Sequence, residues 1–104
     1  MHYLAERVIP TSHPSLPGHF PGNPIVPGVV ILDTVLQALH DWRPEIPVSG
    51  LSNVKFVSPL LPEEAFVIEL THEDTSRPLR FTCRAGERAL AQGQITLQSA
   101  GGAK

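Results

Sequence analysis

Hydrophobic and polar positions along this chain follow two periods. Leu32, Val35, Leu36, Leu39 and Trp42 recur at the three-and-four spacing of an α-helix. They lie in a proline-free stretch from Val29 to Trp42, long enough for about four turns. Upstream, Pro21, Pro24 and Pro27 each fix φ, remove an N–H donor and push the preceding residue toward extended conformations. The helix is therefore predicted to begin at Pro27-Gly28 and to end before Arg43-Pro44. Its opening residues Val29, Val30 and Ile31 are β-branched and poor helix formers, so burial rather than propensity must hold this end. The expectation is a central, nearly enclosed helix.

The second period is two. Tyr3 to Ile9 reads as a strand closed by Pro10, and Leu51 to Val57 as another, stopped by Ser58-Pro59 and Pro62. Ala65 to Thr71 sets Phe66, Ile68 and Leu70 against Val67, Glu69 and Thr71. Leu79 to Ala85 sets Leu79, Phe81, Cys83 and Ala85 against Arg80, Thr82 and Arg84. Leu90 to Gln98 sets Ala91, Gly93, Ile95 and Leu97 against four polar positions. Thr11 to Pro27 is a stiff loop, too apolar at Leu16, Phe20, Ile25 and Val26 to lie fully in water, and Pro44 to Gly50 is a second loop. The order is strand, helix, then four strands with short connections. It predicts an α+β fold in which an antiparallel sheet built from hairpins curls around one helix. Residues 1–98 form one domain, and 99–104 are a small polar tail expected to fray.

With 104 residues the chain can build one core but has little depth in which to enclose a ligand. Hydrophobic residues at 41% against 17% charged describe a globular protein with room for a buried subunit interface. The net charge is −2 and the basic residues are scattered singly, which argues against a nucleic-acid partner. Cys83, the only cysteine, cannot form an intrachain disulfide, and no Cys/His spacing resembles a zinc site, so no metal is expected. The first residues lack a signal-peptide pattern and no apolar run reaches the roughly 18 residues of a membrane span. These features predict a cytoplasmic protein in a reducing compartment.

Chemistry concentrates at the helix entrance. Asp33 sits in an apolar run, where an ionised carboxylate is costly unless paired or neutral. Gln37 lies one turn further on the same face. The helix N-terminus offers free N–H groups and a partial positive charge, and Gly28 has no side chain to block approach.

The run His19-Phe-Pro-Gly-Asn-Pro-Ile-Val-Pro-Gly28, followed by Asp33 and Gln37, closely resembles the signature of the hot-dog-fold 3-hydroxyacyl-acyl-carrier-protein dehydratases of the FabA/FabZ type. That pattern is a histidine opening His-Phe-Pro-Gly-x-Pro, a Pro-Gly entering the central helix, a Glu or Asp fourteen residues after the histidine and a Gln one turn on. All four elements stand here at matching spacing. The resemblance implies dehydration of a 3-hydroxyacyl thioester, carried on the phosphopantetheine of an acyl carrier protein or on CoA, to the trans-2-enoyl thioester, with no further cofactor. It implies His19 as the base for the C2 proton and Asp33 as the acid assisting departure of the 3-hydroxyl. The N–H groups of Gly28 and Val29 would hold the thioester carbonyl, with Gln37 supporting Asp33, while Phe20 is a candidate either for the acyl pocket or for the core. It also implies a homodimer, or an oligomer of dimers, whose sites take the histidine from one subunit and the acid from the other.

Physical chemistry agrees with these roles. A C2 proton beside a thioester is weakly acidic, so the developing enolate oxygen needs fixed donors as well as a base. Imidazole titrates near ~6.5, close to the ideal for a base at neutral pH. An acid must keep its proton, which for an aspartate requires desolvation, here expected from Val29, Val30 and Leu32. The competing readings are a hot-dog thioesterase, opposed by the His-Phe-Pro-Gly loop, and a non-catalytic acyl-carrier-binding subunit, opposed by the retention of both His19 and Asp33. His2, His13, His40 and His72 are expected to be exposed and Cys83 to pack inward. Arg43, Arg80 and Arg84 are candidates to meet phosphopantetheine or an acidic carrier. The family carries a short helix before its first strand where this chain opens almost at the strand, so no acyl-chain length is carried over. An Asp at the acid position occurs in the branch that also isomerises enoyl products, and the motif does not choose between branches.

Overall fold

A computed structural model describes residues 2–10, 25–73 and 78–98. The elements in chain order are β1 (His2–Arg7), α1 (Gly28–Trp42), β2 (Val48–Phe56), β3 (Phe66–Thr71), β4 (Leu79–Ala85) and β5 (Arg88–Leu97). They form one antiparallel sheet in the order β1-β3-β4-β5-β2, curled around the helix as the hot-dog resemblance implies.

Helix α1 starts and stops where its prolines predict. Ile31, Val35, Ala38 and Leu39 are almost wholly buried, while Leu32, Leu36 and Trp42 pack at the flanks of the core. The buried stripe is thus rotated slightly from the one read in the sequence. At the far end of the helix the Trp42 ring stacks on Tyr3 of β1, with centroids 5.4 Å apart and planes 6° from parallel.

Alternation along β3 and β4 is as predicted, every second residue being buried. It continues past β3 to His72, which is buried rather than exposed, because two residues beyond Leu70 the period still points inward. In β5 both Leu90 and Ala91 are buried, contrary to simple alternation. The β4–β5 register shifts between Cys83 and Arg84, pairing Cys83 with Ala91 and Arg84 with Ala89. The resulting bulge turns two successive side chains inward.

Two expectations about β2 are corrected. It begins at Val48, inside the predicted loop, with a register shift between Val48 and Gly50 that absorbs the irregular start. It also does not form a hairpin with β3. The connection through Pro59 and Pro62 carries the chain across the end of the sheet, so β2 pairs with β5 and β3 lies between β1 and β4. Prolines disfavour a tight two-residue reversal of the hairpin type, and with β3, β4 and β5 paired consecutively and β1 on the β3 edge, the β5 edge is the one left for β2.

The site where β2 meets this sheet is crowded. A Cβ on Gly93 would stand 2.8 Å from the Phe81 ring and 3.1 Å from the Val54 Cα. Phe81 is 1% exposed and the other neighbour is backbone, so neither can move aside cheaply. Gly93→Ala should therefore destabilise the fold by about 1–3 kcal/mol as an overpacked core position. A denaturant midpoint equal to wild type would contradict this close approach.

Cys83 lies on the inward face of β4, and burial pushes its thiol up to about 12 from an ordinary 9.0. With the folded value raised, its stabilising share is fully present below about 9.0 and lost as pH rises through about 12. Native protein at pH 8 is expected to react with a thiol reagent only as fast as the core opens, and rapidly once unfolded. Prompt stoichiometric labelling of the native state would show that the thiol is not enclosed.

Candidate active site

The first turn of α1 has no side-chain cap, since Pro27 stands at the N-cap, and it carries no acidic residue. The Pro27 carbonyl accepts from Val30 N–H at 3.0 Å and from Ile31 N–H at 3.4 Å. The N–H groups of Gly28 and Val29, at the first two positions of the helix, have no partner within it. Beside them lies a groove of about 390 Å³ lined by Ile25, Val26, Gly28, Ile31, Phe56 and the segment Val57 to Leu60. The half-exposed Phe56 ring rests directly on Gly28, and any Cβ at that position would stand 2.6 Å from the ring. A side chain here would have to displace that ring from the helix entrance.

One turn into the helix, the Gln37 amide Nε2 donates to Asp33 Oδ2 at 2.9 Å. Thr34 Oγ1 donates back to the Val30 carbonyl at 2.8 Å and so turns its polar group to its own helix. Asp33 is exposed, which corrects the expectation of an enclosed carboxylate. Of its expected apolar neighbours only Val30 is buried, and Val29 is 72% exposed. The reason is angular. Val29, Asp33, Gln37 and His40 share the side of the helix opposite the stripe that meets the sheet, and the sheet cannot reach around to it. His19 and Phe20, like His13, lie outside the described residues.

The remaining candidates are dispersed. His2 is exposed and approaches Glu69 at 3.1 Å, and Arg84 reaches the same carboxylate at 3.4 Å. Arg43 lies over the Trp42 ring at 5.0 Å. Arg80 borders a polar groove of about 370 Å³ with Asn53, Thr82, Gln92 and Gln94, formed by the outward-pointing residues of the sheet and so on the side away from the helix. Phe56 and the wall from Val57 to Leu60 were not legible as site residues. Their only signal is the pair of prolines that ends the strand reading and forces the chain to cross the end of the sheet.

Comparison with known proteins bears on this arrangement. The ApeI-like family model, described as ApeI dehydratase, matches residues 2–94. The 3-hydroxyacyl-[acyl-carrier-protein] dehydratase FabZ of Klebsiella pneumoniae is 30% identical over 105 residues, covering 91% of this chain and 68% of that protein. The bifunctional enzyme LpxC/FabZ of Chlorobaculum tepidum is 28% identical, covering 92% of this chain, which spans only 22% of that longer protein. Among solved structures, the dehydratase heterocomplex ApeI:P from Xenorhabdus doucetiae matches with a TM-score of 0.81 and 25% identity, covering 92% of this chain and 86% of that one. The fluoroacetyl-CoA-specific thioesterase FlK, at 12% identity and a TM-score of 0.68, shares the fold alone.

Proposed function

The chain belongs to the ApeI-like dehydratase family, and from that premise we propose how its residues divide the dehydration of a 3-hydroxyacyl thioester to the trans-2-enoyl thioester. The observation that carries the proposal is the uncapped end of α1, whose Gly28 opens onto an apolar groove one turn away from a paired carboxylate and amide. In this reading the thioester carbonyl sits at the N–H groups of Gly28 and Val29, and the acyl chain lies in the groove. His19 takes the C2 proton, charge moves onto the carbonyl oxygen, and the fixed donors and the helix end hold it there. Collapse of that charge forms the C2–C3 double bond and expels the 3-hydroxyl. Asp33, oriented by Gln37, gives the departing oxygen its proton so that it leaves as water.

An acid on an open helix face is surrounded by water, whereas a proton donor to the leaving oxygen acts best where bulk water is excluded. We therefore place the working site between two copies of the chain, with the Val29, Asp33 and Gln37 stripe of one facing the His19 loop of the other. Two features support a second copy. Phe56 and Val57, which line the groove, and Val29 and Leu61, next in sequence to its lining residues Gly28 and Leu60, are large apolar residues between 48% and 72% exposed. Strand β2, which supplies Phe56, is an edge strand with open backbone groups. The substrate class is acyl chains on a carrier protein or CoA in the cytoplasm, with Arg43, Arg80 or Arg84 as candidate contacts for an acidic carrier. Among the described residues no helix is long and apolar enough to cross a membrane.

Replacing Asp33 with Asn keeps the volume and the bond to Gln37 but deletes the transferable proton. The catalytic rate should fall by about 10²–10⁴-fold. The thermal midpoint should barely move, because an exposed polar exchange stays within roughly 0.5 kcal/mol. Enoyl absorbance and free thiol followed together read this out. Thiol release without enoyl change would move the assignment to a thioesterase, and a fully active Asp33→Asn protein would remove the acid role.

Subunit sharing has its own test. His19→Ala and Asp33→Asn proteins, each inactive, should recover roughly a quarter of wild-type turnover when mixed and exchanged, since half of the dimers are then mixed and each carries one intact site of two. Inactive mixtures of dimeric mutants, or a wild type that stays monomeric at assay concentration, would rule the shared site out.

A further inference from the structure

One polar cluster borders the groove without lining it. Glu64 Oε1 accepts from Arg88 Nη2 at 2.7 Å and from the Leu61 N–H at 3.2 Å. The same Arg88 nitrogen donates to the Pro59 carbonyl at 3.2 Å. Pro59 and Leu60 form the outer wall of the groove. The Leu60 carbonyl accepts the Val26 N–H at 2.8 Å, two residues before Gly28. On the other side, the Leu90 carbonyl accepts Val57 N–H at 2.7 Å and Ser58 N–H at 3.3 Å. The wall is thus suspended between strand β5 and the entrance of the helix. Leu60 is buried and pins the middle of the wall to the core, whereas Val57 and Leu61 on either side are 54% and 48% exposed. The ends of the wall are therefore held by directional polar ties.

We propose that Arg88 and Glu64 are a positioning pair that holds the Pro59 to Leu61 wall at a fixed height against the helix entrance, and thereby sets the groove width and the aim of the Gly28 and Val29 donors. This rests on the reading that those donors hold the thioester carbonyl. The Arg88 hydrogen bond, followed by that of Leu61, holds the Glu64 carboxyl below the usual carboxylate range, so the pair is charged at neutral pH. An arginine-carboxylate contact fixes direction as well as distance. The two side chains are 44% and 28% exposed, and an exposed ion pair of this kind contributes little to stability. Misplacement of a bound reactant by about 1 Å, in contrast, can cost about 10²-fold in rate. The pair should therefore matter far more to turnover than to folding.

The test uses a short 3-hydroxyacyl thioester of N-acetylcysteamine, which carries no charge and needs no carrier, with enoyl absorbance as readout. Arg88→Met should lower kcat by about 10-fold or more with a smaller change in KM, because the donors act on charge that develops in the transition state. Its thermal midpoint should stay within about 4 °C of wild type. Arg88→Lys, which retains a donor for Glu64, should recover part of the lost kcat. Arg7→Met breaks the similarly exposed Arg7–Asp41 pair, 3.1 Å long and joining β1 to the far end of α1, and should keep wild-type kinetics. If Arg88→Met does not fold, Glu64→Gln takes its place, retaining an acceptor for Leu61 but no charge, with a smaller loss of kcat expected. Wild-type kcat per folded molecule in either variant, or a loss no larger than in Arg7→Met, overturns the pair's role. A wild type without dehydratase or hydratase activity overturns the reading beneath it, and the two failures are distinguished by that control.

Discussion

A single curled sheet reaches around only one side of a helix, and the organisation of this protein follows from which side of α1 it reaches. Ile31, Val35, Ala38 and Leu39 are turned to the sheet and almost wholly buried. Val29, Asp33, Gln37 and His40 are turned away from it and exposed. A carboxylate placed on the covered side would carry a desolvation penalty of several kcal/mol on folding. On the open side it stays solvated and hydrogen-bonded to Gln37, and the chain folds without that cost. The function proposed for Asp33 asks for the opposite environment, which is why the proposed site draws on a second copy of the chain.

The entrance of the same helix shows how burial outweighs local preference. A Ser, Thr, Asp or Asn cap in place of Pro27 would add about 1 kcal/mol, and each β-branched residue of the first turn sacrifices a few tenths more against a good helix former. Fully burying a valine or isoleucine returns roughly 1.5–3 kcal/mol, and Val30 and Ile31 are 7% and 2% exposed. The core therefore fixes the helix end in place without a side-chain cap, and its first N–H groups have no partner within the helix. Gly28 serves the same end by letting the Phe56 ring close over the backbone as one wall of the groove.

Relations between this chain and its family are clearest at that end. The dehydratases it resembles and the thioesterases that share its fold use one sheet-and-helix frame. What would separate the readings is side-chain chemistry, for which the sequence offers His19, Asp33 and Gln37. The fold alone would not distinguish a chain that eliminates water from an acyl thioester from one that hydrolyses the thioester bond.

Much of the architecture was legible from the residues alone, for reasons local to the chain. Prolines at 27 and 44 bound the helix because they remove donors and exclude helical neighbours, and alternation in β3 and β4 is a property of the extended backbone itself. The spacing of the His19 to Gln37 run is likewise a property of the chain, whatever surrounds it. Other features were decided only in three dimensions. The crossing of β2 to the far edge depends on which strands have already paired, and the bulge that buries both Leu90 and Ala91 depends on register with a neighbour. Whether Asp33 is wet or dry, and whether Phe56 and Leu60 line a groove, depends on surfaces brought together from distant parts of the chain. Periodicity along a backbone specifies which residues share a face, but only tertiary contact specifies what that face meets.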